Sequence, residues 1–297
     1  MDHPAMTEVV VVMACHNRRE NTIEALRSLV GQGGAEVSVR VVLTDDGSTD
    51  GTARAARDVW PDVRVVRGDG SLFWAKGMAL AASLAGVYDF LLWLNDDVIL
   101  DEGALARLLA TYRTSPAAPE ADLIVVGALR DPHSGAVTYS GITRCSSLRP
   151  MRFTQVVPAG LPVPADTMNG NLVLVPRGVI ERVGHIDGGF SHGMADFDYG
   201  LRARSRGCEV WVAPQTLGTC ARNPAVQGWN DPALPVGVRW RLMRSPKGLP
   251  PRSWWRFTRR HGGAMWPVYW LSPYVRFLAG ALLITGPGRR GRGAACE

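Results

Sequence analysis

The sequence has few cysteines and no close pair of them. The five are Cys15, Cys145, Cys208, Cys220 and Cys296. An odd number without Cys-x-x-Cys spacing argues against a disulfide framework or a zinc knuckle. We therefore expect reduced cysteines and a cytoplasmic protein.

Long apolar runs are also absent. The first run covers only residues 9–13, after an acidic start, and is not typical of a signal peptide. Residues 269–285 are apolar for longer, but Pro273, Arg276 and Gly280 make them a poor membrane-spanning helix. With 46% hydrophobic residues among 297 and no three-residue glycine period, the chain is predicted to be globular.

Lysine is scarce and charge is unevenly distributed. Lys76 and Lys247 accompany 31 arginines, and the net charge is +6. From Arg239 onward there are 12 basic residues and one acid, together with five of the ten tryptophans. We therefore predict a globular domain over residues 1–230 and a basic, tryptophan-rich helical extension over residues 231–297.

Strand and helix signals alternate along the chain. Strand signals cover residues 9–13, 37–43, 63–66, 90–94 and 172–175, and helix signals cover residues 52–59, 74–84 and 196–206. Asn21 and Glu24 predict the start of a further helix after the first strand. Strands that are apolar throughout are typical of a sheet covered on both faces. The pattern predicts an α/β fold with a mainly parallel sheet flanked by helices, and a ligand site at the carboxyl ends of the strands.

Three polar clusters directly follow apolar strands. They are CHNR at residues 15–18, DDGSTDGT at residues 45–52 and NDD at residues 95–97. Adjacent carboxylates such as Asp96 and Asp97 repel each other unless a cation or hydrogen-bond donors neutralise them, and a divalent cation completed by phosphates and water is one solution. Alternatively, one of them caps the next helix, for which Asp101 is also available.

The order and spacing of these clusters resemble those of inverting family 2 glycosyltransferases of the GT-A fold, including rhamnosyltransferases. Three further segments resemble motifs of that family: GDGSLFWAKG at residues 68–77, DTMNGN at 166–171 and ADFDYGLR at 195–202. The resemblance spans residues 8–220. It implies a nucleotide-sugar half in residues 1–100, an acceptor half in residues 101–230, and Mg²⁺ or Mn²⁺ as cofactor.

The resemblance implies a donor site at the strand ends. The implied donor-binding residues are His16, Asn17, Arg18, Asp45, Asp46, Gly47, Lys76, Asn95 and Asp96. Asp97 is the implied metal ligand, and Asn95 stands where the family often has another aspartate. Lys76 either offsets diphosphate charge or is an exposed helix residue. Arg222, where some relatives have a metal-binding histidine, is a further candidate for the diphosphate.

The resemblance also implies an acceptor side. Its implied residues are Trp74, Asn169, Gly170, Asn171 and Asp198. Asp196 is the implied catalytic base, because inversion needs a carboxylate that takes the acceptor proton from across the sugar. The family usually has Glu-Asp where this chain has Ala195-Asp196, so Asp198 is the second candidate. His185 and His192 flank this region, either as contacts of acceptor or metal or as loop residues.

Three functions are open at this point. The first is a glycosyltransferase that uses a UDP-sugar or dTDP-sugar and a saccharide, lipid-linked or small-molecule acceptor. The second is a sugar-phosphate nucleotidyltransferase, whose glycine-rich basic signature residues 15–18 lack, and the third is a non-catalytic nucleotide-sugar-binding module. The carboxylates of Asp45, Asp97 and Asp196 argue against nucleic acid in the cleft.

The basic extension has two expected placements. It packs on the catalytic domain or on a second subunit, or it contacts an anionic membrane surface through its aromatic and cationic side chains. In the second case the cytoplasmic protein would lie peripherally on the inner face of the membrane.

Overall fold

The computed structural model describes residues 6–116, 122–146, 150–222 and 228–285. The helices are α1 (Arg19–Leu29), α2 (Thr52–Val59), α3 (Phe73–Ser83), α4 (Ala104–Thr114), α5 (Arg177–Val183), α6 (Ala195–Ser205), α7 (Val236–Arg244), α8 (Pro251–His261) and α9 (Trp266–Thr285). The strands are β1 (Thr7–Cys15), β2 (Val37–Asp45), β3 (Arg64–Arg67), β4 (Phe90–Leu94), β5 (Ile99–Leu100), β6 (Leu123–Arg130), β7 (Val137–Tyr139), β8 (Gly141–Arg144), β9 (Phe153–Gln155), β10 (Val163–Ala165), β11 (Thr167–Met168), β12 (Leu172–Pro176) and β13 (Glu209–Thr219). Cys296 and the basic residues after position 285 lie outside the described residues.

One large sheet organises the chain, with strand order β10-β13-β6-β12-β4-β1-β2-β3. Strands β3, β2, β1 and β4 are parallel neighbours, and β13 is parallel to β6. Strand β12 runs antiparallel between β4 and β6, and a small second sheet joins β11, β8 and β9. The predicted α/β fold, with a mainly parallel sheet flanked by helices, is confirmed.

The apolar run of β1 is buried on both faces of the sheet. Val10 and Val12 belong to one core, whereas Val9, Val11 and Met13 belong to the other, and all five are fully buried. Side chains alternate between the faces of a strand, so a strand covered on both sides has no polar position. After Thr7 and Glu8 at the start of the strand, polar residues return only at the carboxyl end, which faces the site.

Two glycines allow helices to lie close to the strands beneath the site. A side chain at Gly77 of α3 would come within 2.9 Å of the Ala14 Cβ, and Gly200 of α6 leaves similarly little room beside Thr167 and Met168 of β11. Close backbone approach is the use of glycine inside a helix. These contacts fix α3, which carries Trp74, against the large sheet and α6, which carries Asp196, against the small one.

The helix-capping predictions are wrong. Helix α1 begins at Arg19, so Asn21 and Glu24 lie inside it, and the Asp50 carboxylate accepts a hydrogen bond from the Arg19 backbone N–H at 3.0 Å. Helix α4 follows Gly103 and has no side-chain cap. The Asp101 carboxylate instead forms a two-pronged ion pair with Arg130. Asp96 and Asp97 do not cap this helix either, and both pair with Arg18.

Helices α7, α8 and α9 make up the described part of the extension. Met243, Tyr274 and Phe277 form a small core of their own. The Trp254 indole donates to the Tyr269 carbonyl at 3.0 Å, and the Tyr274 hydroxyl donates to the Leu249 carbonyl at 2.8 Å. Among the described residues, no helix combines the length and the apolar character that crossing a bilayer requires.

Candidate active site

Asp46 organises the loop before α3. One carboxylate oxygen accepts a hydrogen bond from the Gly70 N–H at 2.8 Å, and the other accepts from the N–H groups of Leu72 and Phe73 at 2.9 and 3.0 Å. The side chain is buried. Asp46, implied as a donor contact, therefore holds the start of α3 with both of its oxygens.

Asn17 and His16 tie the first strand-end loop to the second. The Asn17 N–H donates to the Ser48 hydroxyl at 2.9 Å, and the Asn17 amide oxygen accepts from the Thr49 N–H at 2.8 Å. The His16 Nδ1 lies in hydrogen-bond contact with the Asp46 carbonyl. These implied donor residues are exposed at the edge of the sheet, and they brace the 45–52 loop.

Asp45 ends β2 at the base of this loop. Its Oδ1 accepts a hydrogen bond from the Ser48 N–H at 2.9 Å, and its backbone carbonyl accepts from Gly47 and Gly68. Gly47 has a φ of +73°, and a side chain there would come within 3.0 Å of the Gly70 nitrogen. The turn thus requires glycine at position 47, and it keeps the Asp45 carboxylate fixed at the strand end.

Arg18 bridges the two carboxylates that follow β4. Its guanidinium donates to Asp96 at 3.1 Å and to Asp97 at 2.9 Å. Burial raises the pKa of Asp96 to about 7, the Arg18 charge opposes this rise and the neighbouring Asp97 adds to it. The sequence suggested that Asp96 and Asp97 need a positive counter-charge, and Arg18 is that charge in this structure.

Cys220 completes the surroundings of Asp97. Its Sγ lies 3.5 Å from the Asp97 Oδ1 and 4.0 Å from the Asn171 amide nitrogen. Burial and the nearby Asp97 charge raise the pKa of this thiol. The thiol is therefore protonated and acts as a weak donor to the carboxylate. The sequence pattern gave no sign of this contact, since the two residues are far apart in the chain.

Trp74 connects the end of β4 to the implied base. Its indole N–H donates to the Asn95 side-chain oxygen at 2.7 Å, and its ring packs on Gly170, where a Cβ would come within 2.5 Å of the ring. The Gly170 N–H donates to the Asp196 carboxylate at 3.0 Å. Residues from α3, β4, the β11–β12 loop and α6 thus meet in one connected group.

Asp196 is held by backbone donors and lies at the start of α6. Its second oxygen accepts a hydrogen bond from the Phe197 N–H at 2.9 Å. Burial raises the pKa of Asp196 to about 6, and the hydrogen bonds from Gly170 and Phe197 oppose the rise. A carboxylate with a pKa near neutral is suited to proton transfer.

Backbone strain among the described residues clusters around this site. The non-glycine residues with positive φ there are Asn17, Phe73 and Met194, with values of 50°, 54° and 72°. Phe73 precedes Trp74, and Met194 lies two residues before Asp196. Left-handed backbone is disfavoured for residues with a Cβ, and it persists where the surrounding structure fixes it.

Asp198, implied on the acceptor side and as the second candidate for the base, lies elsewhere. Its side chain is fully buried and receives hydrogen bonds from Arg202 at 2.8 Å, Arg260 at 3.0 Å and His261 at 2.9 Å. A carboxylate with no exposed atom and three cationic or polar partners has nothing left for an acceptor hydroxyl. In this structure Asp198 joins α6 to α8, and the acceptor contact at Asp198 stays a prediction.

The other implied acceptor residues contact the backbone nearby. The Asn169 N–H donates to the Ser140 carbonyl at 3.0 Å, and the Asn171 carbonyl accepts from the Asn95 N–H at 3.0 Å. Arg222 donates to the Thr138 carbonyl at 3.2 Å. The bond between Asn171 and Asn95 brings the β11–β12 loop beside the NDD segment, whereas Arg222, the candidate for the diphosphate, contacts β7.

The candidate histidines and lysines differ in burial. His185 and His192 each have a buried Nδ1 without a hydrogen-bond partner among the described residues, and burial lowers the pKa of both. Lys76 is exposed on α3, beside Gly188. Lys247, between α7 and α8, lies close enough to Asp96 and His192 for its charge to lower both pKa values. Sequence reasoning missed it, although the scarcity of lysine singles it out.

The residues at this site fit a divalent cation whose coordination is completed by a bound ligand. The described residues contain no group of three or more His, Cys, Asp or Glu side chains that could hold a metal alone. Asp96 and Asp97 offer carboxylate oxygens, and Asp97 Oδ1 meets only the weak Cys220 donor on the described chain. Mg²⁺ and similar ions are commonly bound by one or two carboxylates plus substrate phosphates and water.

Comparison with solved structures identifies relatives of the whole fold. The crystal structure of GalNAc-T7 with UDP, GalNAc and Mn²⁺ superposes with a TM-score of 0.60 at 15% identity, over 96% of this chain and 59% of that one. The mannosyltransferase PcManGT from Pyrobaculum calidifontis, in complex with GDP-Man and Mn²⁺, superposes with a TM-score of 0.57 at 16% identity, over 97% of this chain and 79% of that one. The chain thus spans less than two thirds of the length of the GalNAc-T7 chain.

Comparison at the sequence level gives a family for the first half. No curated protein sequence matches the chain. Residues 10–143 match the profile of glycosyl transferase family 2, a range that contains most of β1, all of β2 to β4 and all three polar clusters. Residues 10–143 are therefore similar to glycosyl transferase family 2, and the chain as a whole has the GT-A fold of these solved structures.

Proposed function

We propose that this chain is a metal-dependent inverting glycosyltransferase. It would move a hexosyl or deoxyhexosyl group from a UDP-sugar or dTDP-sugar to an acceptor hydroxyl by single displacement. The observation that carries the proposal is the connected group of Asn95, Trp74, Gly170 and Asp196, which joins the NDD segment to a carboxylate on a separate helix. The family 2 match over residues 10–143 supports the same reaction class.

Asp196 acts as the general base. Its pKa of about 6 leaves it ionised at neutral pH and able to accept a proton. The backbone N–H groups of Gly170 and Phe197 orient the carboxylate. As the acceptor oxygen forms its bond to the anomeric carbon, the bond from that carbon to the diphosphate oxygen breaks, and the hydroxyl proton passes to Asp196.

The strand-end loops bind the donor. Asp45, fixed by the Ser48 N–H, presents a carboxylate to the ribose or the base. His16, Asn17, Asp46 and Gly47 shape that pocket by bracing its loops. Arg18, Lys76 and Lys247 bring positive charge toward the diphosphate side.

Asp97, with Asp96 beside it, would hold Mg²⁺ or Mn²⁺. A bound divalent cation there supplies positive charge to the leaving diphosphate. Both solved relatives carry Mn²⁺ together with a nucleotide or a nucleotide sugar. The donor-side residues of this chain would bind the nucleotide and orient the sugar between Trp74 and Asp196.

The acceptor side is formed by Trp74 and by the backbone of residues 169–171. An indole face suits the apolar face of a sugar ring or of another small cyclic molecule. A saccharide, a lipid-linked sugar or a small natural product meets this requirement, and each supplies the hydroxyl that the reaction consumes.

Calorimetric binding of UDP, dTDP and GDP, each with and without Mn²⁺ or Mg²⁺, tests the donor site. We expect one of the uracil or thymine nucleotides to bind most tightly and the metal to strengthen its binding. Equal binding of all three, or no effect of metal, would contradict the proposal.

Asp196→Asn tests the reaction. The amide keeps the shape of the side chain but accepts no proton, so turnover should fall by about 100-fold to 10,000-fold while nucleotide affinity is unchanged. Asp58→Asn, a matched change on the exposed face of α2, should leave both unchanged. Full turnover in Asp196→Asn would refute the assignment of the base, and no turnover of any donor by the unmodified chain would favour a binding module.

A further inference from the structure

Helix α9 presents a continuous apolar stripe to solvent. The stripe consists of Met265, immediately before the helix, and Val268, Leu271, Val275 and Leu278, each between 50% and 54% exposed. At 100° per residue these side chains fall within an arc of about 140°. The opposite side of the helix carries Tyr274 and Phe277, which are buried against α7.

Helix α9 is apolar on its packed side and also on its solvent side, so the apolar surface of its solvent side is left uncovered. Helices of water-facing surfaces normally carry charged or polar residues on the outer face. Arg276 is the only charged residue of α9. Contiguous exposed apolar surface of this kind marks an interaction site.

The segment that carries the stripe is rich in positive charge and has no acidic residue. Residues 232–285 contain nine arginines and lysines and no aspartate or glutamate. Arg256 and Arg260 pair with Asp187, and Arg260 also pairs with Asp198. Arg252 and Arg259 are exposed on α8, where their charge is accessible to a partner.

Aromatic side chains mark the end of the stripe where α8 meets α9. Trp255 is 39% exposed and lies edge-on to Trp266, with ring centroids 6.2 Å apart. The Arg259 guanidinium stacks over the Trp255 ring at 5.0 Å. Indole and arginine together favour the boundary between apolar chains and charged headgroups.

We propose that the α9 stripe binds the surface of an anionic lipid bilayer, with α9 lying in the plane of the headgroups. The apolar side chains enter the acyl boundary, and Arg252, Arg259 and Arg276 meet anionic headgroups. A helix that is apolar on the exposed side and flanked by cations lies on a membrane, and among the described helices none could cross one. The inference is independent of the reaction proposed above.

The charge pattern selects the bilayer over a second copy of the chain. A twofold interface would pair the stripe with itself and bring two sets of arginines together. Like charges facing each other across an interface oppose association. An anionic surface, in contrast, satisfies the cations and covers the apolar side chains together.

Sedimentation with vesicles tests the proposal on the full chain. We expect binding to mixed phosphatidylcholine–phosphatidylglycerol vesicles, weaker binding at high salt, and little binding to phosphatidylcholine alone. Leu271→Glu should weaken binding by about tenfold or more, since it places a charge in the acyl boundary. Arg252→Gln combined with Arg259→Gln should weaken it by about fivefold for each cation removed.

Leu161→Glu is the matched control, because Leu161 is 73% exposed far from the stripe in sequence. It should bind vesicles as the unmodified chain does. Equal binding to both kinds of vesicle, or no effect of Leu271→Glu, would overturn the proposal. So would a dimer of the unmodified chain, measured by sedimentation velocity without lipid, that Leu271→Glu dissociates, since it would identify a second copy as the partner.

Discussion

At the scale of single residues, Asp196 shows how the backbone and burial set the chemistry of a carboxylate. Burial raises its pKa to about 6, and two backbone N–H groups limit the rise. Asp46 accepts three backbone hydrogen bonds that hold the start of α3, whereas each Asp196 oxygen accepts one, from Gly170 or Phe197. The two aspartates look alike in sequence, but they differ in the capacity of their oxygens to accept a further hydrogen bond or a proton.

The pH dependence of turnover follows from the Asp196 pKa. The carboxylate acts as a base only when it is ionised, so kcat/KM should rise with pH and level off above an apparent pKa of about 6. Rate measurements between pH 5 and 8 at saturating metal check this expectation. A rate that is already independent of pH across this range would show that another group accepts the proton.

Gly170→Ala should disturb Asp196 without touching the donor loops. A Cβ at this position would come within 2.5 Å of the Trp74 ring and 3.1 Å of the Asp196 Cβ. The ring or the carboxylate must shift, and small displacements of a catalytic group cost about 100-fold in rate. We expect kcat to fall while UDP or dTDP affinity, measured by calorimetry, is kept.

Gly237→Ala, in helix α7 where a Cβ meets nothing, is the control for the glycine substitution. It should leave kcat unchanged. If Gly170→Ala had full kcat, the close packing of Trp74 and Asp196 around position 170 would not matter for turnover.

At the scale of elements, an ion cluster fastens α8 of the extension to α6. Burial by itself raises the pKa of Asp198, but hydrogen bonds from His261 and Arg202 outweigh it and hold that pKa below its ordinary value. The cluster therefore adds stability that is present above about pH 4 and is lost as the pH falls through the lower pKa of the folded state.

A second ion pair beside this cluster depends on a glycine. Gly189 leaves room for the Arg256 guanidinium in its pair with Asp187.

Asp198→Asn should destabilise the protein markedly. The change leaves Arg202, Arg260 and His261 around a neutral side chain, and removing one partner of a buried ion pair costs about 3 kcal/mol or more in the free energy of unfolding. Urea unfolding at neutral pH measures it. Glu8→Gln, which removes the exposed pair of Glu8 with Arg40, should cost less than about 1 kcal/mol. Equal effects of both variants would contradict a structural role for the cluster.

The elements that could be predicted from sequence are those with local signals. Helix α2 begins and ends where its composition indicates, at Thr52 and Val59, and the apolar strands β1 and β4 are where their runs lie. The start of α1 could not be predicted, because its cap is Asp50, which is 31 residues from Arg19. Asp198 gave no signal for its partners either, since Arg260 and His261 belong to another element.

At the scale of the whole molecule, ligand binding should be visible in thermal stability. A nucleotide with metal at about 100 times its Kd adds about 2.7 kcal/mol to the free energy of unfolding, which raises Tm by several degrees. We expect Mn²⁺ to enlarge the Tm shift produced by UDP or dTDP in the unmodified chain.

Asp97→Asn should lose that effect of metal and keep part of the shift due to the nucleotide alone. Asp62→Asn, an exposed residue before β3, is the matched control and should behave as the unmodified chain. A metal effect of full size in Asp97→Asn would assign the ion to other residues.

The extension is the part of the molecule whose composition was evident from the sequence but whose arrangement was not. Its charge and tryptophans were evident from the sequence, yet two roles for them stayed open. The structure shows both packing and exposure: Phe257 and Met243 are buried, whereas the α9 stripe is not. Composition counts residues over a segment, and it carries no information on which of them face the core.

The hydrogen bonds that join the first two strand-end loops have a thermodynamic consequence. The loop after β1 is linked to the loop after β2 by hydrogen bonds of Asn17, Ser48, Thr49 and Asp50, without any bound ligand. A nucleotide that enters between such loops loses little of its binding free energy to ordering them. The association rate should then reflect diffusion and charge rather than a slow rearrangement of the pocket.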